Sequence, residues 1–449
     1  MPPKSFNLTV NKQISSFKKI IKIDSDKSIS IRTFLLGSIS NNISSVENVL
    51  ESEDVLSSIN CLRKLGVKII KKKSKSYLIY GKGLGSLFAR KNTVLNFGNS
   101  GTLARLLIGL LSTCPDIELK ITGDKSLNKR SMKKLIEIMS KFGATFLPEK
   151  KYNLPLKIIS SEMPLGINYE SGISAQLKSA AILAGLNSFG VTEILEKQKS
   201  RDHTERMLSK NNHLINIKKH RGLKIIKIVG KQYLNPIKMF VPGDPSSAAF
   251  FTALTLLNKN SSLLIKNVCL NETRIGFYKL LKKRGGKINF INKKKINNEI
   301  VGDISVKSSK LKSVNASKKY YVNSTDEYPI LFVIAALTNG VSIFKGIEDL
   351  ANKESNRIKE MQKVLKQIGV KSKSSKNQLK IFGKGLIKGK NKIIQVPNLG
   401  DHRICMSSFV LAVLTGAKAK IKNFETVFTS SPSFLKTMRL LGANFEIKN

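Results

Sequence analysis

A stretch of small polar residues that leads directly into an apolar run has the composition of an anion-binding helix start. Residues 98–105 are Gly-Asn-Ser-Gly-Thr-Leu-Ala-Arg, and an apolar segment follows over residues 106–111. Glycine lets the backbone approach a ligand closely, serine and threonine can cap a helix, and unpaired N–H groups at a helix start favour negative charge. On its own, such a stretch is equally typical of a simple capped turn.

Three further segments place a capping residue just ahead of an apolar, helix-like pattern. They begin at Asp26, Ser174 and Asp244. The first two have a cation within about one turn, Lys27 and Lys178 respectively, as residues 98–105 do. Several helix starts with nearby cations predict a site for a small polyanionic molecule.

The net charge favours an anionic partner but does not say which kind. The 449 residues include 78 Lys and Arg against 30 Asp and Glu, a formal net charge of +48, which is compatible with a nucleic-acid-binding protein. The lysines are spread along the chain, aromatic residues make up only 7%, and no nucleic-acid-binding motif is present. We therefore expect a basic surface that attracts anionic small molecules, and no nucleic-acid partner.

Neither the cysteines nor the histidines are spaced as metal ligands. Cys61, Cys114, Cys269 and Cys405 lie far apart without a CxxC pair, and the four histidines form no HExxH pattern. We expect reduced thiols in the core, no bound metal and no cofactor.

The chain has the composition of a globular protein of two or more domains, with 41% apolar residues. Its longest apolar runs, such as residues 330–337, fall far short of the ~18 residues of a membrane span. Residues 1–22 lack the continuous apolar segment of a secretory signal. We expect a cytoplasmic monomer without a membrane partner.

The elements that must position these residues show an internal repeat. A helix that ends at a glycine and continues into a strand recurs at Gly66, Gly143, Gly285, Gly369 and Gly442. The interval is about 75 residues, with one double interval that contains a degenerate copy at residues 207–213. Glycine just past a helix commonly takes the left-handed conformation that ends it. The pattern predicts six α/β units.

Within a unit, the pattern predicts strand, helix, strand, helix and then further strands. Three units per domain give two domains. The chain is expected to cross between them near residues 23–25 and 240–243, where Pro242 and Gly243 interrupt the pattern. A short N-terminal strand would then return to the second domain.

Together, the motifs resemble the 5-enolpyruvylshikimate-3-phosphate (EPSP) synthase family over nearly the whole chain. Three of the ten matching pieces are Ser-Arg-Asp-His-Thr-Glu-Arg at 200–206, Lys-Glu-Ser-Asn-Arg at 353–357 and Gly-Asp-His-Arg at 400–403. The remaining pieces, in order, are residues 26–30, 52–55, 98–105, 129–130, 174–176, 243–248 and 326–329.

The resemblance implies an α/β fold of two domains, a barrel-like, inside-out arrangement of six βαβαββ units with three pseudo-threefold-related units per domain. Domain I would comprise residues 1–22 and 243–449, and domain II residues 23–242. The active site would lie in the cleft between them, which closes over the substrates.

The resemblance also implies an activity: transfer of the enolpyruvyl group of phosphoenolpyruvate to the 5-hydroxyl of shikimate 3-phosphate, with release of phosphate, in aromatic amino acid biosynthesis. The residues implied for shikimate 3-phosphate are Lys27, Ser28, Arg32, Ser174, Ala175, Gln176, Asp326 and Lys353, with Ser200 and Arg201 as further phosphate contacts. Those implied for phosphoenolpyruvate are Lys27, Gly101, Arg130, Gln176, Arg357 and Arg403. Ala175 would contribute only its backbone N–H, and the arginines suit bidentate binding of carboxylate and phosphate.

The implied chemistry is an addition followed by an elimination, which needs an acid and a base at fixed positions. Asp326 is the expected base for the 5-hydroxyl, and Glu354 is the expected proton donor to the methylene carbon. Lys27 is the competing donor. Without the resemblance, Lys353, Glu354 and Arg357 would equally fit an ion pair on a helix surface.

Some positions depart from the family pattern. Ser25 stands where glycine is usual, Ile31 where histidine or asparagine is common, and Asn356 where aspartate is common. Ser431 alters a Ser-Phe-Pro segment near the C-terminus, and Thr429 stands where some relatives have a cleft lysine. These departures bear on efficiency and on the first substrate-binding turn, not on the reaction.

An alternative is the related enolpyruvyl transferase that acts on UDP-N-acetylglucosamine, which carries a reactive cysteine in the loop that corresponds to residues 125–130. No cysteine is present in this segment. The family resemblance also implies inhibition by glyphosate in competition with phosphoenolpyruvate, because Gly101 has no Cβ and leaves room beside the phosphate.

Overall fold

The computed structural model describes residues 5–448, which form an α/β architecture of strands and helices in regular alternation. The strands are β1 (Asn7–Val10), β2 (Lys18–Lys22), β3 (Ile43–Glu47), β4 (Lys68–Lys73), β5 (Ser76–Tyr80), β6 (Val94–Asn96), β7 (Glu118–Thr122), β8 (Thr145–Leu147), β9 (Leu156–Ile159), β10 (Asn168–Ser171), β11 (Val191–Glu196), β12 (Ile215–His220), β13 (Leu223–Val229), β14 (Lys238–Phe240), β15 (Ser262–Cys269), β16 (Lys287–Ile296), β17 (Glu299–Lys307), β18 (Asn315–Ala316), β19 (Gly340–Lys345), β20 (Lys371–Ser375), β21 (Gln378–Gly383), β22 (Ile393–Val396), β23 (Lys418–Ile421) and β24 (Phe445–Lys448).

The helices lie between these strands. They are α1 (Lys27–Ser38), α2 (Glu53–Lys64), α3 (Gly101–Leu111), α4 (Lys133–Lys141), α5 (Ala175–Leu186), α6 (His203–Leu208), α7 (Pro245–Leu257), α8 (Gly276–Lys283), α9 (Lys318–Ser324), α10 (Tyr328–Ala336), α11 (Arg357–Gln367), α12 (His402–Thr415) and α13 (Phe434–Leu440). Short 3-10 helices cover Leu127–Lys129, Thr325–Glu327, Glu348–Asn352 and Phe424–Thr429.

The strands form six four-stranded sheets that share one pattern. Their orders are β14-β3-β5-β4, β6-β7-β9-β8, β10-β11-β13-β12, β16-β17-β15-β2, β18-β19-β21-β20 and β22-β23-β1-β24. Each sheet has one parallel pair that includes an edge strand, as in β6 with β7, and antiparallel neighbours on the other side of that pair, as in β7 with β9. The six α/β units predicted from the glycine spacing are therefore confirmed.

The chain divides into two compact units. The central unit comprises Ser25–Val241 with Ile296–Glu299, and the terminal unit comprises the residues up to Asp24, Pro242–Lys295, and those from Ile300 onward. Two strands belong to sheets of one unit while the helices that follow them in sequence belong to the other unit. Strand β2 precedes α1 but pairs with β15, and β14 precedes α7 but pairs with β3. The N-terminal segment thus supplies two strands, β1 and β2, where the sequence predicted one.

The predicted glycine joints are present. Gly66, Gly143, Gly285, Gly369 and Gly442 have φ values of 82°, 95°, 95°, 79° and 95°, the left-handed region that L side chains rarely adopt. The degenerate copy lacks this joint, because Ser209, which follows α6, is right-handed.

Each unit is built around buried helices. Helices α1, α3 and α5 of the central unit, and α7, α10 and α12 of the terminal unit, are apolar on nearly all sides and almost completely buried. Helix α3 packs against α1 and α5, while α7, α10 and α12 pack against one another. A helix that is apolar all round belongs inside a protein, whereas α4, α8 and α11 bury one face and expose lysines.

The predicted helix caps are confirmed. The side chains of Asp26, Ser100, Ser174 and Asp244 each accept a hydrogen bond from a backbone N–H in the first turn of the helix that follows. All four begin buried helices, so each cap fixes the start of an element that cannot move independently of its core.

The four cysteines are free and buried, as expected. No helix within residues 5–448 combines the length and hydropathy needed to cross a bilayer.

Candidate active site

The N-terminus of α1 in the central unit carries an ammonium group held by a carboxylate. Lys27 Nζ lies 2.8 Å from Asp54 Oδ2, and the two side chains are only 17% and 7% exposed. Asp54 lies in the first turn of α2, so it fixes Lys27 from a neighbouring helix. Ser28, next to Lys27, is half-buried.

A second group of polar side chains surrounds the N-terminus of α3. Arg105 Nη1 donates to the backbone oxygen of Gly101 at 3.1 Å and to Gln176 Oε1 at 3.0 Å. Gln176 Nε2 in turn donates to Thr102 Oγ1 at 3.0 Å. Arg130, which follows the 3-10 helix Leu127–Lys129, donates through Nη2 to Asn99 Oδ1 and Ser126 Oγ at 2.6 and 3.2 Å. The predicted residues Gly101, Arg130 and Gln176 are thus brought together.

Gly101 is required by space as well as by the turn. A Cβ at this position would lie 2.8 Å from Arg105 Nη1 and 3.1 Å from Arg130 Nη1. Two guanidinium groups therefore converge on one helix N-terminus, where the backbone adds its own partial positive charge. Such a concentration of positive charge can bind a phosphate or a carboxylate.

Helix α5 begins beside this group. Ser174 Oγ caps the helix by accepting from Leu177 N at 3.4 Å, and Ala175 is its first residue. Ser174, Ala175 and Gln176 are all partly exposed, so both the hydroxyl and the backbone of this turn remain accessible to a ligand.

Arg32 is more enclosed than the other predicted ligand residues, with 4% exposure. Its Nε donates to Thr204 Oγ1 at 2.8 Å, its Nη2 to Ser179 Oγ at 3.0 Å and its Nη1 to the backbone oxygen of Ser28 at 3.1 Å. Helices α5 and α6 therefore hold this guanidinium group against the first turn of α1.

Ser200 is completely buried, whereas its neighbour Arg201 is partly exposed. The backbone N–H and the hydroxyl of Ser200 both donate to Glu196 Oε1, at 2.9 and 2.8 Å. The hydroxyl proton is thus engaged inside the protein.

Arg357 is the centre of the site in the terminal unit. Its side chain is 2% exposed; Nε donates to Asp401 Oδ2 at 2.9 Å and Nη2 donates to Glu354 Oε2 at 2.6 Å. Its Nη1 lies 3.9 Å from Asp326 Oδ1. The sequence prediction named Asp326, Glu354 and Arg357, and the structure places all three together.

The carboxylates around Arg357 favour the charged form of its guanidinium group. Burial alone would lower the pKa of Arg357, but the carboxylates of Asp401, Glu354 and Asp326 raise it overall. Since Arg357 is buried and Asp401 is completely enclosed, the alternative of a helix-surface ion pair is wrong.

Asp401 links the two arginines predicted for phosphoenolpyruvate. The Asp401 carboxylate binds the Arg357 guanidinium and accepts a hydrogen bond from Ser355 Oγ at 2.9 Å. It also caps α12 by accepting from the backbone N–H of Arg403 at 3.0 Å. Asp401 was not among the residues predicted from the sequence to be functional, although its N-cap position before α12 was a usable signal.

Arg403 is also enclosed, with 4% exposure. Its Nη1 donates to the backbone oxygen of Ser246 at 3.4 Å, and its guanidinium carbon lies 5.8 Å from the centre of the Phe250 ring. Within residues 5–448, its buried Nε has no hydrogen-bond partner. An unsatisfied buried donor is costly, and an anionic ligand would satisfy it.

Lys353 is positioned through Asp349. Its Nζ lies 2.5 Å from Asp349 Oδ2, and the same oxygen accepts from Tyr321 Oη at 2.9 Å. Asp349, like Asp54 and Arg105, was missed by sequence reasoning. Of these three, only Arg105 offered a clear signal, one turn after Gly101 in the same motif.

Four of the five departures from the family pattern are accommodated by burial or local hydrogen bonds, whereas the buried hydroxyl of Ser25 has no hydrogen-bond partner within residues 5–448. Asn356 caps α11 by accepting from Lys359 N at 3.1 Å, as aspartate could. Ile31 is completely buried inside α1, and Ser431 donates to Asp24 Oδ2 at 2.9 Å. Thr429 is enclosed and donates to the backbone oxygen of Thr426.

Within residues 5–448, no group of three or more His, Cys, Asp and Glu residues is arranged to hold a metal ion. The arginine and lysine side chains described above can bind anions, and Asp326, Glu354 and Lys27 are of residue types that can transfer protons.

The chain is similar to known enzymes over nearly its full length. A family model described as EPSP synthase (3-phosphoshikimate 1-carboxyvinyltransferase) matches residues 11–438. The 3-phosphoshikimate 1-carboxyvinyltransferase of Zymomonas mobilis is 38% identical over 431 residues, which cover 95% of this chain and 94% of that protein. The enzyme of the same name from Thermoanaerobacter pseudethanolicus is 38% identical over 425 residues, covering 94% and 97%.

Solved structures agree with the sequence comparison. An EPSP synthase from Acinetobacter baumannii superposes with a TM-score of 0.84 at 32% identity, covering 99% of this chain and 100% of that one. The enolpyruvyl transferase NikO from Streptomyces tendae shares the fold, with a TM-score of 0.77 at 12% identity and 99% coverage of both chains. The expected fold of βαβαββ units is confirmed, and the chain belongs to the EPSP synthase family.

Proposed function

We propose that this enzyme transfers the enolpyruvyl group of phosphoenolpyruvate to the 5-hydroxyl of shikimate 3-phosphate and releases phosphate, in the route to chorismate and the aromatic amino acids. The observation that carries the proposal is the group around Arg357, in which a buried cation lies beside two carboxylates of only partial exposure, Glu354 and Asp326. Such a group both binds an anion and transfers protons.

Phosphoenolpyruvate is proposed to bind to Lys27, Gly101, Arg130, Gln176, Arg357 and Arg403. Arg357 uses Nε and Nη2 for Asp401 and Glu354, and its Nη1, 3.9 Å from Asp326 Oδ1, is proposed to bind the ligand. Arg403 has an unpartnered Nε among the described residues. Arg130 and the α3 N-terminus provide a second positively charged end, and the substrate itself carries a phosphate and a carboxylate.

Shikimate 3-phosphate is proposed to bind to Lys27, Ser28, Arg32, Ser174, the Ala175 N–H, Gln176, Asp326 and Lys353, with Arg201 as a further phosphate contact. Lys27 and Ser28 lie in the first turn of α1, Arg32 about one turn later, and three residues lie at the start of α5. Helix starts of this kind favour phosphate because N–H groups and lysine or arginine side chains point the same way.

Asp326 is proposed as the base that accepts the proton of the 5-hydroxyl group. The hydroxyl oxygen attacks the carbon of phosphoenolpyruvate that lies next to the methylene carbon and carries the phosphate. Asp326 lies in the Thr325–Glu327 3-10 helix at 27% side-chain exposure, which leaves the carboxylate accessible to a substrate. The tetrahedral adduct then loses phosphate and returns a proton from its methyl carbon to the conjugate base of the proton donor, which restores the C=C bond. The cations that bound the phosphate stabilise it as it leaves.

The proton that the methylene carbon gains is proposed to come from Glu354. Its Oε2 lies 2.6 Å from Arg357 Nη2 and its side chain is 18% exposed, so the carboxyl group lies next to a cation that is proposed to bind phosphoenolpyruvate. Lys27 is the competing donor, as an ammonium group beside Asp54.

The proposal includes the domain assignment made from the sequence, residues 1–22 with 243–449 and residues 23–242, with residues of both contributing to one reaction. It also includes a cytoplasmic monomer that needs no cofactor. Size-exclusion chromatography with light scattering tests the oligomeric state, and a dimer would contradict this part.

The activity is tested by measuring phosphate release from phosphoenolpyruvate with each acceptor supplied separately. We expect release with shikimate 3-phosphate and none with UDP-N-acetylglucosamine or without acceptor. Release with the nucleotide sugar, or with no acceptor, would contradict the proposal. Nucleic acid serves as a further control: binding that falls steeply with salt and blocks turnover would favour the alternative of a nucleic-acid-binding protein.

A further inference from the structure

A buried cluster of four ionised side chains lies behind the proposed phosphate contacts of the central unit. It consists of Lys178 on α5, Glu196 at the end of β11, Glu205 on α6 and Lys224 on β13. Lys178 Nζ lies 2.6 Å from Glu196 Oε1 and 2.7 Å from Glu205 Oε1, and all three side chains are at most 1% exposed. We call this group the Lys178 cluster.

Lys224 completes the charge balance of the Lys178 cluster. Its Nζ lies 3.1 Å from Glu205 Oε1 and 3.5 Å from Glu196 Oε2, and its side chain is 16% exposed. Two carboxylates thus face two ammonium groups. Burial would raise the pKa of Glu196, but Lys178, the Ser200 N–H and Lys224 lower it overall.

The Lys178 cluster holds the loop that follows β11. Glu196 Oε1, the oxygen that binds Lys178, also accepts from the backbone N–H and the hydroxyl of Ser200. Ser200 directly precedes Arg201, so the position of Arg201 depends on where Glu196 places this serine. Ser200 is therefore an anchor of the loop, with its hydroxyl proton directed into the protein.

The same cluster holds the Arg32 guanidinium group through neighbouring residues. Lys178 on α5 binds Glu205 on α6, and the adjacent pair, Ser179 and Thr204, is joined by a hydroxyl-to-hydroxyl bond of 2.9 Å. Both of those hydroxyls accept from Arg32, at 3.0 and 2.8 Å. The ion pair and the hydrogen-bonded pair are successive cross-links between the same two helices.

We propose that the Lys178 cluster positions the phosphate-binding residues of the shikimate 3-phosphate site, with Lys178 as its central positioning residue. The inference rests on the proposed function, because it names the ligand that these residues hold. Lys178 also lies one turn into α5, whose first turn carries Ser174, Ala175 and Gln176. One ammonium group therefore connects three separate parts of the proposed site.

The Lys178 cluster positions side chains and the Ser200 loop more than it adds to the free energy of unfolding. A buried ion pair is expensive to desolvate and adds little net stability compared with apolar packing, whereas removing one partner leaves an uncompensated charge. Within the described residues, Glu196 Oε2 and Glu205 Oε2 have no hydrogen-bond partner. Without the Lys178 ammonium, both carboxylates would have to repel each other, take up a proton or move, and the Ser200 loop would move with them.

The test compares two ligands that differ only by the phosphate. Isothermal titration calorimetry measures binding of shikimate and of shikimate 3-phosphate to the full chain and to Lys178→Met, which retains the length of the side chain but not its charge. We expect shikimate 3-phosphate to bind at least about tenfold more weakly, since charged hydrogen bonds to the phosphate lose their alignment. Shikimate binding should change less than about twofold.

Steady-state kinetics provide the second readout. The KM for shikimate 3-phosphate should rise in Lys178→Met while the KM for phosphoenolpyruvate stays within about twofold. Lys266→Met is the matched control, because it removes another lysine that binds a carboxylate, Asp303 at 2.9 Å. Lys266→Met should change neither the KM for shikimate 3-phosphate nor the KM for phosphoenolpyruvate.

Glu196→Gln provides the same test if Lys178→Met does not fold. The amide oxygen can still accept from Ser200, but the neutral side chain binds Lys178 and Lys224 less strongly. The α5 residues and the loop are then held less firmly, and we expect the same selective loss at smaller amplitude. Equal weakening of both ligands, or unchanged affinity for both in a folded variant, would overturn the proposal. Absence of turnover in the unmodified enzyme with shikimate 3-phosphate would instead refute the proposed function.

Discussion

Replacing Arg357 by lysine separates the two tasks that its guanidinium group performs. Nε and Nη2 bind Asp401 and Glu354, at 2.9 and 2.6 Å, while Nη1 lies 3.9 Å from Asp326 Oδ1 and is the nitrogen proposed to bind the ligand. Lysine keeps the charge but has one nitrogen, so it cannot bind the internal carboxylates and a ligand in the same geometry.

The expected magnitude follows from one lost charged hydrogen bond. Such a bond contributes about 1.5–3 kcal/mol, so the KM for phosphoenolpyruvate should rise about 10- to 150-fold. The KM for shikimate 3-phosphate should change less than about threefold, because its proposed contacts are on other residues.

The assay is phosphate release with each substrate varied at saturation of the other, together with calorimetric titration of phosphoenolpyruvate. Arg63→Lys is the control, since Arg63 also donates to a protein oxygen, the Ile69 carbonyl at 2.8 Å, but has no role in the proposed site. An unchanged KM for phosphoenolpyruvate, or an equal rise for both substrates, would refute the reasoning about Nη1.

Three further outcomes are expected. Asp326→Asn should lower kcat by ~10²-fold or more while calorimetry shows shikimate 3-phosphate binding retained, because an amide donates and accepts hydrogen bonds but cannot take up the proton; retention of half the activity would exclude Asp326 as the base. Gly101→Ala should weaken inhibition by glyphosate by more than ~1 kcal/mol and affect phosphoenolpyruvate less, since the new methyl group intrudes on the longer inhibitor; equal losses with a lower Tm would indicate a turn defect. Burial raises the pKa of Cys61 to about 12 and that of Cys114 to about 11, so mass spectrometry should find neither alkylated by iodoacetamide at pH 8 until the protein unfolds; rapid labelling of the folded enzyme would contradict this burial.

Local signals in the sequence were sufficient for the repeat and for the helix starts. Gly66 and Gly143 follow helices and have left-handed backbones, a conformation that glycine adopts readily and that ends a helix. A glycine at this position can be recognised in the sequence. Asp26 and Ser100 cap helices through bonds to residues three positions later. Such interactions depend on neighbours in the chain, so spacing alone predicts them.

The supporting shell of the site depends on contacts that are distant in sequence. Asp401 reaches Arg357 across 44 residues, and Arg105 reaches Gln176 across 71. A one-dimensional pattern does not indicate which carboxylate will face which cation, because that is decided by how buried helices pack. The resemblance supplied ligand roles, but it gave no account of what holds the ligand residues in place.

The position of Ser200 illustrates the same limit. Its motif suggested a phosphate contact, yet its hydroxyl and N–H both donate to Glu196. The sequence shows a serine beside an arginine; which of them faces a ligand depends on a glutamate whose burial only the fold reveals.

The most direct test of the central claim is the identity of the product formed from phosphoenolpyruvate and shikimate 3-phosphate, measured by mass spectrometry and phosphorus NMR on one reaction mixture. We predict an enolpyruvyl ether of shikimate 3-phosphate and an equimolar amount of inorganic phosphate, both formed at least ~10²-fold more slowly when Asp326→Asn replaces the unmodified enzyme. Phosphate without the ether, or an ether formed on UDP-N-acetylglucosamine instead, would contradict this prediction.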